Sequence, residues 1–164
     1  MHVRAYRCED AGATREIYER AVHMTAATHY SSEQLDAWAP RDLDGAGLAA
    51  WGARRAAAQT VVAVEDDQVA GFSDLVDRTL LDMLFVDPRL GRRGIGSALI
   101  SAIIRRARAG DAPYLETNAS LVARPVFERH GFVVMAQQTP VVRGVALTNF
   151  KMRLPLADRS TGVA

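Results

Sequence analysis

The sequence predicts one mixed α/β domain, a central sheet of about seven strands flanked by helices. Two observations carry this. The hydrophobic period changes along the chain: helical spacing runs to about residue 58, strand-like runs occupy residues 60–86, and helices and strands alternate after that. Its 164 residues, 49% hydrophobic and 24% charged, are enough for one core without staples and too few for two.

The elements follow in order. Val3 and Ala5 alternate with polar neighbours, which predicts a short first strand. Asp10 is placed to cap a helix through about Thr28, with Ile17, Ala21, Val22 and Ala27 as its apolar side. Ser31 and Gln34 form a capping-box pattern that opens a short helix through Trp38, and Pro40 ends it. The alanine-rich residues 45–58 predict a third helix anchored by Trp51. Thr60–Val64 and Val69–Val76 read as a hairpin around Glu65-Asp66-Asp67-Gln68, and Leu80–Val86 as the next strand. A helix is expected over Ile95–Ala109, with Ile95, Leu99, Ala102 and Ile103 on one face. Tyr114–Thr117 predicts a strand and Val122–His130 a helix closed by Gly131. Phe132–Met135 and Val145–Leu154 complete the sheet. The domain is expected to span residues 1–155, followed by a frayed tail over 156–164.

Composition excludes several classes. A net charge of +1 gives no footprint for nucleic acid or an anionic membrane surface. The single cysteine, Cys8, forms no internal disulfide, and Glu9 and Asp10 beside it disfavour a thiolate. Residues 1–20 lack an apolar secretory core, and no apolar run approaches the ~20 residues of a membrane span. A cytoplasmic protein, monomeric or homodimeric, is the expectation. No His/Cys/Asp/Glu set has metal-site spacing.

The most informative stretch is residues 84–99, where an apolar strand stops at Pro88, a loop carries Gly91, Gly94 and Gly96, and a helix begins. A helix N-terminus offers unpaired N–H groups and a partial positive charge, and glycines let an anion approach them. Arg92 and Arg93 add side-chain charge. The glycine intervals are three and then two, the reverse of the dinucleotide fingerprint, and Gly96 lacks the Lys-Ser/Thr of a Walker loop.

Val86, Pro88, Gly91, Gly94 and Gly96 instead resemble motif A of the GCN5-related N-acetyltransferases, roughly Val-x-Pro-x-x-(Gln/Arg)-x-x-Gly-x-(Gly/Ala). Gly91 stands where that motif carries Gln or Arg. Ser120-Leu-Val-Ala-Arg-Pro-Val-Phe-Glu-Arg-His-Gly-Phe132 resembles motif B through Ala123, Phe127, Gly131 and Phe132, with Ser120 in place of Asn and Phe127 in place of Tyr. Residues 30–40, Gly71–Asp74, Leu81–Val86 and Arg143–Phe150 further resemble a bacterial branch, the YafP-like acetyltransferases. The resemblance covers residues 3–155.

That resemblance implies a sheet whose splayed parallel strands form an acyl-CoA cleft, and direct attack of an amine on the thioester of acetyl-CoA. It implies that the backbone of Leu84, Phe85 and Val86 meets the pantetheine. Gly91, Arg92, Arg93, Gly94, Ile95, Gly96 and Ser97 would hold the pyrophosphate, and Ser120, Arg124 and Phe127 would add contacts. Arg129 is a second choice for the 3′-phosphate. For the base, Asp74, Asp77, Asp82 and Glu116 lie near strand ends; plain alternation puts Asp82 with Leu84 and Val86, opposite Met83. With Phe127 lacking a hydroxyl, the acid is left among Tyr30, Tyr114, His130 and water, and His130 also suits a helix cap. Trp38, Trp51, Tyr30 and Met24 either line an acceptor pocket or pack the core, and His23 and His29 lie nearby.

The leading expectation is acetyl transfer to a small-molecule amine or arylamine. The alternatives are a protein N-terminus or lysine as acceptor, and a non-catalytic acyl-CoA-binding sensor.

Overall fold

In the computed structural model, which describes residues 1–41 and 44–156, strand β1 (His2–Ala5) leads into helix α1 (Ala11–Arg20). Asp10 precedes α1 without capping it. Its carboxylate accepts from Arg4 at 2.8 and 2.9 Å and from the Arg7 N–H at 2.7 Å. The single helix expected through Thr28 is also broken. α-Helical bonding ends at Arg20, widens into a π-helical turn over Ala21–Thr25 and tightens into a 3₁₀ turn over Ala26–Thr28.

Helix α2 (Ser32–Trp38) carries the expected capping box: Ser31 Oγ accepts from Gln34 N at 3.2 Å and Gln34 Oε1 from Ser31 N at 2.9 Å. Helix α3 (Gly45–Ala57) starts at Asp44, whose Oδ1 accepts from Gly47 N at 2.7 Å. Strands β2 (Val61–Glu65), β3 (Gln68–Val76) and β4 (Leu80–Val86) form a meander, and α4 (Ile95–Ala109) follows. Strand β5 (Tyr114–Ser120) runs three residues past its expected end. Helix α5 (Arg124–Arg129) is shorter than expected because Pro125 sits in its first turn. Gly131 at φ +86° closes it, with Phe132 N bonded to Phe127 O and Gly131 N to Glu128 O.

The last sheet strand was expected over Val145–Leu154. The chain instead follows β6 (Val133–Gln138) with a separate hairpin, β7 (Val141–Val142) and β8 (Val145–Ala146), and rejoins the sheet as β9 (Asn149–Pro155). Arg143 and Gly144 both have positive φ, 49° and 81°, which makes the tight turn that lifts this hairpin out. Of the tail expected from residue 156, Leu156 is buried in the core with its N–H on Pro113 O, and residues 157–164 lie outside the described residues.

The sheet order is β1-β2-β3-β4-β5-β9-β6, antiparallel except for β4 and β5. Two apolar layers cover it. On one face Leu99, Ile100 and Ile103 of α4 and Phe127 of α5 pack on Leu75, Leu81, Leu115 and Met152. On the other, Ile17, Tyr18 and Val22 from the first helix, with Trp51 of α3, pack on Val62 and Phe72. No described helix is long and apolar enough to cross a membrane.

Candidate active site

β4 and β5 pair only at Leu80–Glu116 and Leu81–Thr117. Beyond these residues the strands diverge, so the β5-facing backbone groups of residues 82–86 have no strand partner. The gap is a cleft with two halves that share Trp38, Leu84, Phe85, Ser120 and Ala123. One half, about 430 Å³, is walled by the glycine loop and by Ala21, Val22 and Thr25 of the π turn. The other, about 240 Å³, is walled by Tyr30, Trp38, Phe85, Phe127 and the β7–β8 hairpin.

The loop half is built from its acid. Asp87, buried, accepts from the Arg89 N–H and guanidinium and from Arg20 of α1 at 3.0 Å, and these cations hold its carboxyl down at about 2. The 3₁₀ turn Pro88–Leu90 is thereby pinned at its start. Gly94, at φ +78°, caps α4, and the first intrahelical bond is Ala98 N to Gly94 O at 3.0 Å. The N–H groups before it have no intrahelical acceptor. Gly91, Arg92, Gly94, Gly96 and Ser97 line this half, as does Ile95, which is anchored in the core. Arg93 is not part of that wall; its guanidinium lies 3.7 Å from Glu65.

The two arginines of α5 exchange the places expected of them. Arg124 bonds Glu128 at 2.7 Å and lies over the Phe150 ring, whereas Arg129, at the other end of α5, lines the loop half. His130 does not cap its helix with its side chain. Nε2 sits 3.0 Å from Ser97 Oγ, tying α5 to the start of α4, and burial and Arg129 lower its pKa.

A bulge decides where the central acid points. Between the pairs Ser73–Leu84 and Leu75–Leu81, β3 has one residue, Asp74, and β4 has two, Asp82 and Met83. Ser73 Oγ bonds the bulged Met83 carbonyl at 2.7 Å. Plain alternation therefore fails here: Leu81, Leu84 and Val86 pack toward α4, while Met83 and Phe85 pack toward α1 and α3. Asp82 does not share the face of Leu84 and Val86. It is exposed and lines the hairpin half of the cleft.

The other acids stand elsewhere. Asp74 is fully buried; Arg55 Nε lies 2.7 Å from Oδ2, out of line for a hydrogen bond, and Thr60 Oγ1 donates to Oδ1 at 2.9 Å. Burial outweighs Arg55 and raises its pKa to about 6. Asp74 does not line the cleft, so it cannot accept directly from a ligand there. Glu116 pairs across the strands with Arg153 at 2.9 Å and with Lys151 at 3.4 Å, outside the cleft, and Arg153 holds its carboxyl below the usual range. Asp77 lies in a separate cavity with Asp74.

Tyr30 is the tyrosine that lines the cleft. Its hydroxyl donates to Thr148 O at 2.6 Å and accepts from Leu121 N at 3.0 Å, joining the chain after α1 to the segments beyond β5 and β8. Tyr114 lies under the Arg153 guanidinium instead. Ser120 Oγ accepts from Ala123 N at 3.1 Å and borders both halves. Phe127 is buried against Phe132 at the cleft wall.

The aromatic set divides. Trp38 and Tyr30 line the cleft, Trp51 is buried with its N–H on Thr14 Oγ1 at 3.1 Å, and Met24 is exposed elsewhere. His23 bonds the Ala39 carbonyl at 2.7 Å, and His29 is exposed. Two functional features were missed in the sequence: the Asp87–Arg20 clamp, signalled only by Asp-Pro at a strand end, and the hairpin roof, tied to α2 by Gln34 to Ala146 O at 2.9 Å and Arg143 to Ala37 O at 2.7 Å.

The acetyltransferase (GNAT) domain family matches residues 26–154. The uncharacterized N-acetyltransferase YafP of Escherichia coli (strain K12) is 39% identical over 153 residues, 93% of this chain and 95% of that protein. A GCN5-related N-acetyltransferase from Rhodopseudomonas palustris, also described as a class-II aminotransferase, superposes with a TM-score of 0.88 at 33% identity over 94% of this chain and 95% of its own. The Salmonella typhimurium protein yncA, solved with its cofactor acetyl-CoA, has a TM-score of 0.71 at 24% identity and covers all of this chain and 98% of its own.

Proposed function

This chain belongs to the acetyltransferase (GNAT) family, and from that we propose that it transfers acetyl from acetyl-CoA to the amino group of a small molecule, an arylamine among the candidates. One observation carries the reading: a single splay between β4 and β5 has the N-terminus of α4 on one side and an exposed carboxylate, Asp82, on the other. Acetyl-CoA would supply the thioester whose carbonyl the amine attacks. The loop half fits such a donor, with unclaimed N–H groups at the start of α4, open space where a Gly94 side chain would stand, and Arg92 and Arg129 on its walls.

The chain's own part is positioning and proton handling. Unpaired backbone groups of Leu84–Val86 would hold the donor as an added strand and turn an N–H toward the oxygen where charge develops, a contribution of about 3 kcal/mol where measured in other enzymes. Asp82 would take the proton of the acceptor ammonium. Phe127 has no proton to give, and Tyr30, whose hydroxyl donates to Thr148 O, would have to release that carbonyl to protonate the departing sulfur. Tyr30, Trp38 and Phe85, under the hairpin roof, make an aromatic wall that suits a small acceptor.

The test is release of free CoA from acetyl-CoA across a panel of small amines and lysine or N-terminal peptides, with product identified by mass. Turnover of small amines above hydrolysis supports the reading. Peptide-only turnover replaces the acceptor class, and tight acetyl-CoA binding with no transfer points to a sensor.

A further inference from the structure

Behind Asp82 lies a second cavity of about 770 Å³, bordered by Arg54, Arg55, Asp74, Asp77 and Arg78. Among the described residues, Asp82 alone lines both this cavity and the hairpin half of the cleft. The bulge produces this double exposure by setting Asp82 opposite Asp74. Beside Asp74, whose Oδ2 is ion-paired with Arg55 Nε at 2.7 Å, Tyr6 Oη is buried with no hydrogen-bond partner among the described residues.

Resting on the function proposed above, we infer that the buried Arg55–Asp74 pair positions Asp82, and that this second cavity is the route by which the acceptor's proton leaves. The step balances simply. R–NH₃⁺ and the Asp82 carboxylate become R–NH₂ and the protonated acid, and the acid returns its proton to solvent in the cavity that Asp82 itself lines. The cleft itself can stay filled by both substrates throughout.

The charges around Asp74 are Arg55 from α3, held over Trp51 and against Met83 Sδ, and Asp82 from β4; Thr60 donates a neutral hydrogen bond. Tyr6 feels Asp74 from the chain after β1, and Arg54, Asp77 and Arg78 border the cavity. With Asp74 ionised the pair is neutral. Once Asp74 is protonated, an unpaired guanidinium stands beside Asp82 and favours its carboxylate, which opposes proton uptake. A buried ion pair is poor ground for stability alone, since apolar residues of similar volume often do as well. The open cavity gives this pair a different use.

The experiment is kcat/KM against pH from 5 to 9 with acetyl-CoA and an amine the wild type acetylates. An acidic limb is expected near 6, where Asp74 titrates. Asp74→Asn should lose that limb and run about tenfold slower on its plateau, less than the roughly hundredfold expected for losing a base outright. Thr60→Val removes a bond to the ionised form and should move the limb up by roughly half to one pH unit while the enzyme stays folded. Limbs that superimpose for wild type and Thr60→Val, with Asp82→Asn inactive, overturn this inference and leave the functional reading standing. No transfer by the wild type to any amine overturns both.

Discussion

Arg20 Nη2 lies 3.0 Å from Asp87 Oδ2, so the first helix holds the base of the glycine loop directly. Asp87 directly follows β4, Arg20 ends α1, and the π turn that follows Arg20 lines the same half of the cleft. Helix, strand end and loop are therefore tied together at one ion pair.

Asp87→Asn is expected to raise KM for acetyl-CoA about tenfold with little change in kcat, because the pair positions a binding loop and touches no reacting atom. Its pH signature is distinct. The native carboxyl is depressed to about 2, so its stabilisation is present above the unfolded carboxyl value and lost as pH falls toward 2. Urea unfolding should place the variant on the order of 2 kcal/mol below wild type at pH 7, with the two converging near pH 2.

Gly94→Ala tests the loop's backbone. A Cβ there meets nothing within 4 Å, so the cost is purely that of φ +78°. A loss of about 1–2 kcal/mol in thermal unfolding is expected, with acetyl-CoA affinity falling as the cap distorts.

Arg129→Ala and Arg124→Ala should separate. Arg129 lines the cleft and Arg124 is held by Glu128 and Phe150. Calorimetric titration of CoA should show about two- to fivefold weaker binding for Arg129→Ala, a surface charge contact losing up to about 1 kcal/mol, and no change for Arg124→Ala.

Tyr30→Phe leaves the Thr148 carbonyl and the Leu121 N–H without their partner, a cost of about 1–3 kcal/mol. If Tyr30 also protonates the leaving sulfur, kcat falls beyond what the folded fraction accounts for. A kcat unchanged per folded molecule would confine Tyr30 to holding the roof.

Much of the fold was legible because local rules and tertiary structure agree in it. Leu80–Val86 and Ile95–Ala109 carry unambiguous periods, and Ser31/Gln34 and Gly131 are local capping signals. Where a side chain's direction depends on a distant partner, the sequence was mute. Glu116 is turned to Arg153, thirty-seven residues on, and Arg124 to Glu128 and Phe150. The hairpin escaped notice because Val145–Leu154 is strand-like throughout, and only its hydrogen bonds to Pro140, Gln34 and Tyr30 show where it leaves the sheet.

The β4 bulge has a consequence for how such a site arises. Deleting a residue from a regular strand turns everything beyond it to the opposite face. Asp82 and Met83 together oppose one residue of β3, so either can be removed with Leu81 and Leu84 still facing α4. The proposed base thus occupies a place in β4 where one codon can be lost with Leu81 and Leu84 left on the same face.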